Sequence, residues 1–220
     1  MKVLLVSSTA MEIEPFQQWI NRSKYVKDCH FLITGPGILF TTYTLGQVLN
    51  QNVYDLVLGI GIAGSFIKSY PNGSVFQISQ EEFADFGAMD HEEFLDIFKL
   101  GLVSSNEFPF SEGKLINPLK IPGLPFVSGI TVNCASGDEK TISRLRKRYN
   151  PAIETLEGAS LFYICLLKKV PFLEIRAISN KVEPRNRKAW NIPIAIQNLN
   201  QSLIELFPKI YNQINDSSQT

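Results

Sequence analysis

Histidine is nearly absent from this chain and cysteine is scarce: two and three in 220 residues. His30 and His91 cannot by themselves build a His-based metal site, and a Cys–His nucleophile would need a chance pairing. Cys29, Cys134 and Cys165 are odd in number and widely spaced, which argues against a disulfide framework or a zinc knuckle. They read as packing thiols. Net charge is also lacking. Lys plus Arg and Asp plus Glu number 21 each, so no overall field points to nucleic acid, an anionic membrane or a polyanion. No apolar run approaches the roughly 18 residues of a membrane-spanning helix. The N-terminal apolar stretch is too short for a signal peptide, and Glu12 and Glu14 follow it closely. The start is read as a first strand and the chain as cytoplasmic.

What is present suits a buried core: 45% hydrophobic against 19% charged residues, which excludes disorder as the main state. The apolar runs Val3–Val6 and Phe31–Thr34 fit strands buried on both faces. Leu56–Ile60, Val75–Ile78, Phe126–Asn133, Ile153–Leu156 and Phe172–Ile178 supply further strands. Helical spacing follows at Phe16, Trp19 and Ile20, with Pro15 suited to a first turn. It recurs at Ile38 to Leu49, from an Asp138 N-cap to Tyr149, over Gly158–Lys169 and over Pro193–Ile214. The tail from Asn215 is expected to fray. Residues 86–125 read as a long excursion with a helix near Glu92–Leu100. The alternation predicts one domain spanning residues 1–220, a three-layer α/β/α fold on a central mixed, largely parallel sheet.

In such sheets, sites collect at the C-terminal ends of strands. Gly59, Gly61 and Gly64 there serve either a ligand-facing turn or close helix–strand packing. Their spacing is not that of a dinucleotide or P-loop fingerprint. Glu12 and Glu14 follow the first strand, where one of them can point into a cleft, and both also favour a helix N-terminus. Glu157 follows an apolar strand and precedes an apolar helix, so it is at least partly desolvated and placed to accept paired hydroxyls. Arg144, Arg146, Lys147 and Arg148 form a basic run that reads as a solvated helix face.

These segments carry a resemblance. Ala10-Met11-Glu12-Ile13-Glu14, Gly61-Ile62-Ala63-Gly64-Ser65, Ser136-Gly137-Asp138, Leu156-Glu157-Gly158-Ala159 and Arg176-Ala177-Ile178-Ser179-Asn180 stand in the order seen in purine nucleosidases and phosphorylases. The chain resembles the methylthioadenosine/S-adenosylhomocysteine nucleosidase group, and within it the futalosine hydrolase family, through the tract from Arg176 to Arg187 with Trp190. The resemblance implies cleavage of the N-glycosidic bond of futalosine to release hypoxanthine, a step in menaquinone synthesis. It needs no metal or organic cofactor, and it implies a homo-oligomer. It makes Glu14 the water-activating base and Glu157 the residue gripping the ribose hydroxyls. Met11, Ala63, Gly64, Leu156 and Thr141 are then substrate contacts. Asn180 stands where adenine-specific relatives carry Asp. An amide can serve a 6-oxo group and a protonated N7, which favours hypoxanthine. Arg185, Arg187 and Lys188 are the candidates for the carboxyphenyl end of futalosine. The alternatives are an adenine-releasing nucleosidase, a phosphorylase, for which no arginine is seen beside the glycine segments, and a non-catalytic nucleoside-binding protein.

Overall fold

The computed structural model describes residues 1–217. In chain order these form β1 (Val3–Ser7), α1 (Ala10–Asn21), β2 (Cys29–Ile33), α2 (Gly37–Gln51), β3 (Leu56–Ser65) and β4 (Val75–Phe83). A hairpin of β5 (Gly87–Asp90) and β6 (Glu93–Asp96) follows, then β7 (Leu115–Ile116), β8 (Phe126–Thr131) and α3 (Glu139–Tyr149). The chain continues through β9 (Ile153–Thr155), α4 (Gly158–Lys168), β10 (Phe172–Lys181) and α5 (Ile192–Ser217).

The main sheet runs in the order β10-β4-β8-β9-β3-β1-β2, and β10 also pairs with β3. Strands β3, β10, β4, β8 and β9 therefore form a closed circuit, with β1 and β2 extending from it. Pairing is parallel for β1–β2, β1–β3, β3–β10, β4–β8 and β8–β9, and antiparallel for β10–β4, β3–β9 and β4–β7. The sheet is mixed.

The continuous apolar strands have a direct cause. In β1, Val3 and Leu5 join a cluster with Phe16 of α1 and Phe207 of α5, while Leu4 and Val6 join another with Leu45 of α2 and Phe162 of α4. Both faces of the strand are covered, so alternation disappears. Burying these side chains away from water is the main force holding the helices on the sheet.

Several boundaries differ from expectation. β2 is an edge strand with only Cys29 buried. The Glu92–Leu100 segment holds a strand instead of a helix. His91, with φ 52°, closes a tight turn, and a side chain at Gly87 would collide with the Leu95 backbone across the pair. Pro15 sits well inside α1, where it removes one intrahelical donor, because the helix begins at Ala10. α5 continues through Ser217, so the expected fraying does not begin at Asn215; residues 218–220 lie outside the described residues. The glycines of Gly59–Ser65 belong to β3 and make no turn. Among the described residues no helix is long and apolar enough to cross a membrane.

Candidate active site

A cavity of about 300 Å³ opens at the C-terminal ends of β1, β3, β9 and β10. Glu12 and Glu157, both buried, form part of its wall. Glu12 is fixed by the local fold. Thr9 is the N-cap of α1 and Glu12 its third residue, the T-x-x-E spacing of a capping box. Glu12 Oε2 accepts from the Thr9 amide at 3.0 Å and from the Ser8 and Thr9 hydroxyls at 2.7 Å each. Its other oxygen, Oε1, accepts from the Ile62 amide at 3.0 Å. Glu157 Oε1 accepts from the Gly37 amide at 2.9 Å, which ties the residue before α4 to the first turn of α2.

Arg176 links the two carboxylates. Its Nη1 lies 3.4 Å from Glu157 Oε2, and its Nε donates to Glu174 Oε1 at 2.6 Å. Burial works against the guanidinium charge, but Glu174, Glu157 and Glu12 outweigh it and hold the pKa above the ordinary arginine value. The guanidinium lies against β3 because residue 61 has no side chain. A Cβ there would overlap Arg176 Nη1 and come within 3.1 Å of Glu12 Oε1. Gly59 is a packing glycine in the same sense, with Leu161 filling its space. At Gly64 the space is taken by Val182 and by the Asn180 amide.

Asn180 lines the cavity near the end of β10. Its Oδ1 accepts from Ser179 Oγ at 2.8 Å and its Nδ2 donates to the Lys181 carbonyl at 2.9 Å. Each end of the amide keeps one further hydrogen-bonding position. Glu154, deeper in the wall, accepts from the Ser136 amide and hydroxyl, and burial pushes its carboxyl above the usual range. Trp190 and Arg185 close another part of the cavity, the guanidinium 5.4 Å from the indole ring centre.

Of the residues expected at the site, Met11, Ala63, Gly64, Leu156, Glu157 and Asn180 line this cavity. Glu14 does not. It is exposed on α1, where Gln18 Nε2 donates to its carboxylate at 3.4 Å. The helix turns Glu12 inward, and two residues along a helix is about 200° around it, so Glu14 faces away. Thr141 is likewise outside the cavity; its amide donates to the Asp138 carboxylate that caps α3. Of the three basic candidates Arg185 lines the cavity, while Arg187 and Lys188 do not. The expectation that no arginine stands beside the glycine segments is corrected by Arg176 at Gly61. Of the two carboxylates expected near a cleft it is Glu12 that lines the cavity, together with Ser8 and Thr9, which the sequence did not single out, and Arg176 lies behind them. Cys29 and Cys165 are buried thiols, Cys29 pushed up to about 12 by burial and then by Asp28, and Cys134 is exposed. Among the described residues no cluster of three or more His, Cys, Asp or Glu could hold a metal.

Comparison with known proteins first gives the class. Helicobacter pylori 5′-methylthioadenosine/S-adenosylhomocysteine nucleosidase, solved with a ligand joining a pyrrolopyrimidine to a pyrrolidinol, superposes with a TM-score of 0.79 over 95% of this chain and 98% of that one, at 14% identity. The futalosine hydrolase of the same organism superposes at 0.78 over the same shares, at 15% identity. The chain thus has the α/β fold of these nucleosidases. No protein-family model matches it. In sequence, a futalosine hydrolase of Acidothermus cellulolyticus is 30% identical over 198 residues, 88% of this chain and 81% of that protein. One from Streptomyces coelicolor is 32% identical over 162 residues, 73% of this chain and 68% of that protein. The chain belongs to the futalosine hydrolase family.

The Gly61–Arg176 contact generates a prediction. Gly61→Ala forces a methyl into the guanidinium, an overpacking cost of about 1–3 kcal/mol. Its urea midpoint should fall accordingly. An unchanged midpoint would show that Arg176 has room to move.

Proposed function

We propose that the protein hydrolyses the N-glycosidic bond of futalosine, releasing hypoxanthine and dehypoxanthinyl futalosine, with Glu12 as the base that activates water. The observation that carries this reading is the charge of the cavity floor. Glu12 and Glu157 face it, and the one guanidinium between them, Arg176, is already paired with Glu174 and Glu157. A phosphate dianion brought to that floor meets two carboxylates whose neighbouring guanidinium is already paired, at a cost that low dielectric enlarges. Water meets only acceptors suited to its protons. The geometry therefore favours hydrolysis over phosphorolysis.

In this mechanism water gives a proton to Glu12 as its oxygen bonds to C1′. The C1′–N9 electron pair leaves with the purine, which takes up a proton at N7 from solvent, balanced by the proton that Glu12 afterwards returns to solvent. Glu157 holds the ribose hydroxyls, and its negative charge favours the cationic sugar that develops in between. The free N–H of Asn180 reaches O6, and its remaining lone pair accepts from N7–H. The same amide meets a 6-amino group donor to donor, a mismatch of about 1–3 kcal/mol. Leu156 and Met11 supply apolar contact. Arg185, its guanidinium over the Trp190 ring, is the candidate for the carboxylate at the far end of the substrate. The two core clusters support a three-layer arrangement, with α1 and α5 on one face of the sheet and α2 and α4 on the other.

The first test compares two carboxylates. Glu12→Gln should lose roughly 10² or more in turnover, while Glu14→Gln should stay within a few-fold of wild type, both read as hypoxanthine released from futalosine with and without phosphate. Loss of turnover in the Glu14 variant alone would reverse the assignment, and a requirement for phosphate would establish phosphorolysis.

A second test concerns base choice. Asn180→Asp should shift the ratio of kcat/KM for futalosine against its adenine analogue by about tenfold, the equivalent of about 1.4 kcal/mol, towards the analogue. The shared 5′ end cancels other contacts. An unchanged ratio removes Asn180 as the reader of the base.

The α2 surface supports a homo-oligomer. Leu39, Phe40 and Tyr43 are exposed there at 76%, 56% and 66%, a short distance along the chain from Pro36 in the cavity wall. Light scattering on the eluted protein should return at least twice the chain mass, and Tyr43→Asp should lower it. A monomer mass for the wild type would overturn the proposal.

A further inference from the structure

Two fully buried carboxyl groups lie behind the cavity and take no part in the mechanism above. Glu81 on β4 and Glu174 on β10 are both 0% exposed. They converge over Gly158, the first residue of α4. A Cβ at that glycine would overlap Glu81 Oε1 and lie 2.9 Å from Glu174 Oε1, so both oxygens fall within 3 Å of one point. Gly129 clears a second space for Glu81. Each carboxyl has one satisfied oxygen. Glu81 Oε2 accepts from Thr131 Oγ1 at 2.8 Å, and Glu174 Oε1 accepts from Arg176 at 2.6 Å. The other two, Glu81 Oε1 and Glu174 Oε2, have no hydrogen-bond partner among the described residues.

Two ionised carboxylates cannot bond to each other, because both only accept. One added proton turns an orphaned acceptor into a donor. The charge balance asks for the same thing. A single guanidinium, Arg176, faces Glu12, Glu157 and Glu174, and leaves nothing for a further anion in a site without water contact. Glu174 has the guanidinium and Glu81 only a hydroxyl, so the proton belongs on Glu81.

We propose that Glu81 and Glu174 share one proton, and that Glu174 is a positioning residue that holds Arg176 between Glu12 and Glu157. This rests on the reading of the cavity as a nucleosidase site. The surroundings agree. Burial first, then Glu174, pushes the Glu81 carboxyl well above its usual range, against the pull of Thr131 and Arg176, and Glu82 adds to the push. Burial also raises Glu174, with Arg176 opposing and Glu157 contributing. From α4 the Cys165 thiol faces Glu174 and is itself raised by burial and then by that carboxylate. Thr131 Oγ1 also accepts from the Ala159 amide at 2.7 Å, which connects the pair to the first turn of α4, directly after Glu157.

Three measurements test this. In Glu174→Gln, which keeps the acceptor and removes the charge, kcat on futalosine should fall roughly ten- to a hundredfold with KM changed much less. The acid limb of its pH profile should move to lower pH, because Arg176 then gives more of its charge to the cavity carboxylates. A lower melting temperature with kcat, KM and the pH profile intact would make Glu174 merely structural. The second measurement is infrared. Wild type should show the carbonyl stretch of a protonated carboxyl that shifts in D₂O and vanishes in Glu81→Gln; its absence from wild type overturns the shared proton. The third is stability against pH. A carboxyl whose pKa is raised by folding stabilises fully below the unfolded value of about 4.3 and loses that contribution as pH rises towards the folded value. The melting temperature of wild type should therefore fall relative to Glu81→Gln as pH rises from 4, and a constant difference overturns the proposal. Wild type inert towards futalosine would refute the functional reading alone. The infrared and stability results, and the guanidinium position in a crystal structure of Glu174→Gln, decide the inference in either case.

Discussion

The site depends on one buried cation. Arg176 reaches across from β10 to β3, pairs with Glu157 and lends its positive charge to Glu12, the two carboxylates that face the cavity. A guanidinium suits this better than an ammonium. Its donors point in fixed directions within a plane, so Glu174 can occupy Nε while Nη1 serves Glu157. Buried ion pairs of this kind contribute little net stability, since desolvation consumes most of the attraction. What they provide is a defined geometry. Removing any one partner leaves an uncompensated charge, and this couples residues of α1, of β10 and of the turn before α4.

Around that cation the backbone is arranged to let charges approach. The closed circuit of β3, β10, β4, β8 and β9 brings the side chains of several strands to a common interior. Glycines at 61, 129 and 158 are the places where a side chain from one strand occupies the volume another residue would need. The threonines of β8 and β9 then bridge the gaps, Thr131 and Thr155 lying 2.9 Å apart. The apolar clusters on either face keep water out, which makes each of these polar contacts matter more than it would at a surface.

Much of the architecture was legible in the sequence because apolar runs and turn residues report burial directly. The strands of the main sheet and most helices fell where those runs are. The site was legible in part. Glu157 and Asn180 could be placed at the cavity because Glu157 follows a short buried strand and Asn180 stands near the end of a long one. The resemblance points to Glu14 as the base, yet Glu12 is the one that lines the cavity. Counting from the end of the strand, with Thr9 as cap, selects Glu12, because T-x-x-E places that carboxylate over the helix start. The glycines of β3 were legible as close approach but not as strand, since what approaches are side chains from distant parts of the chain, at Gly61 that of Arg176. Arg176 and Glu174 stand two apart in an apolar run, on one face of one strand. That pattern signals a buried ion pair, but it does not say which third group the pair will reach.

The slot at residue 61 has an evolutionary consequence. The volume a Cβ would need there is already occupied by the far end of residue 176. The two positions therefore exchange one quantity of space. A larger residue at 61 is admissible only with a shorter one at 176, and a shorter residue at 176 leaves a void that glycine cannot fill. Either change made first costs stability, so selection should favour inheriting the pair as a unit. Among homologous chains, glycine at the first position and arginine at the second should be retained or lost together, whatever happens to the residues between them.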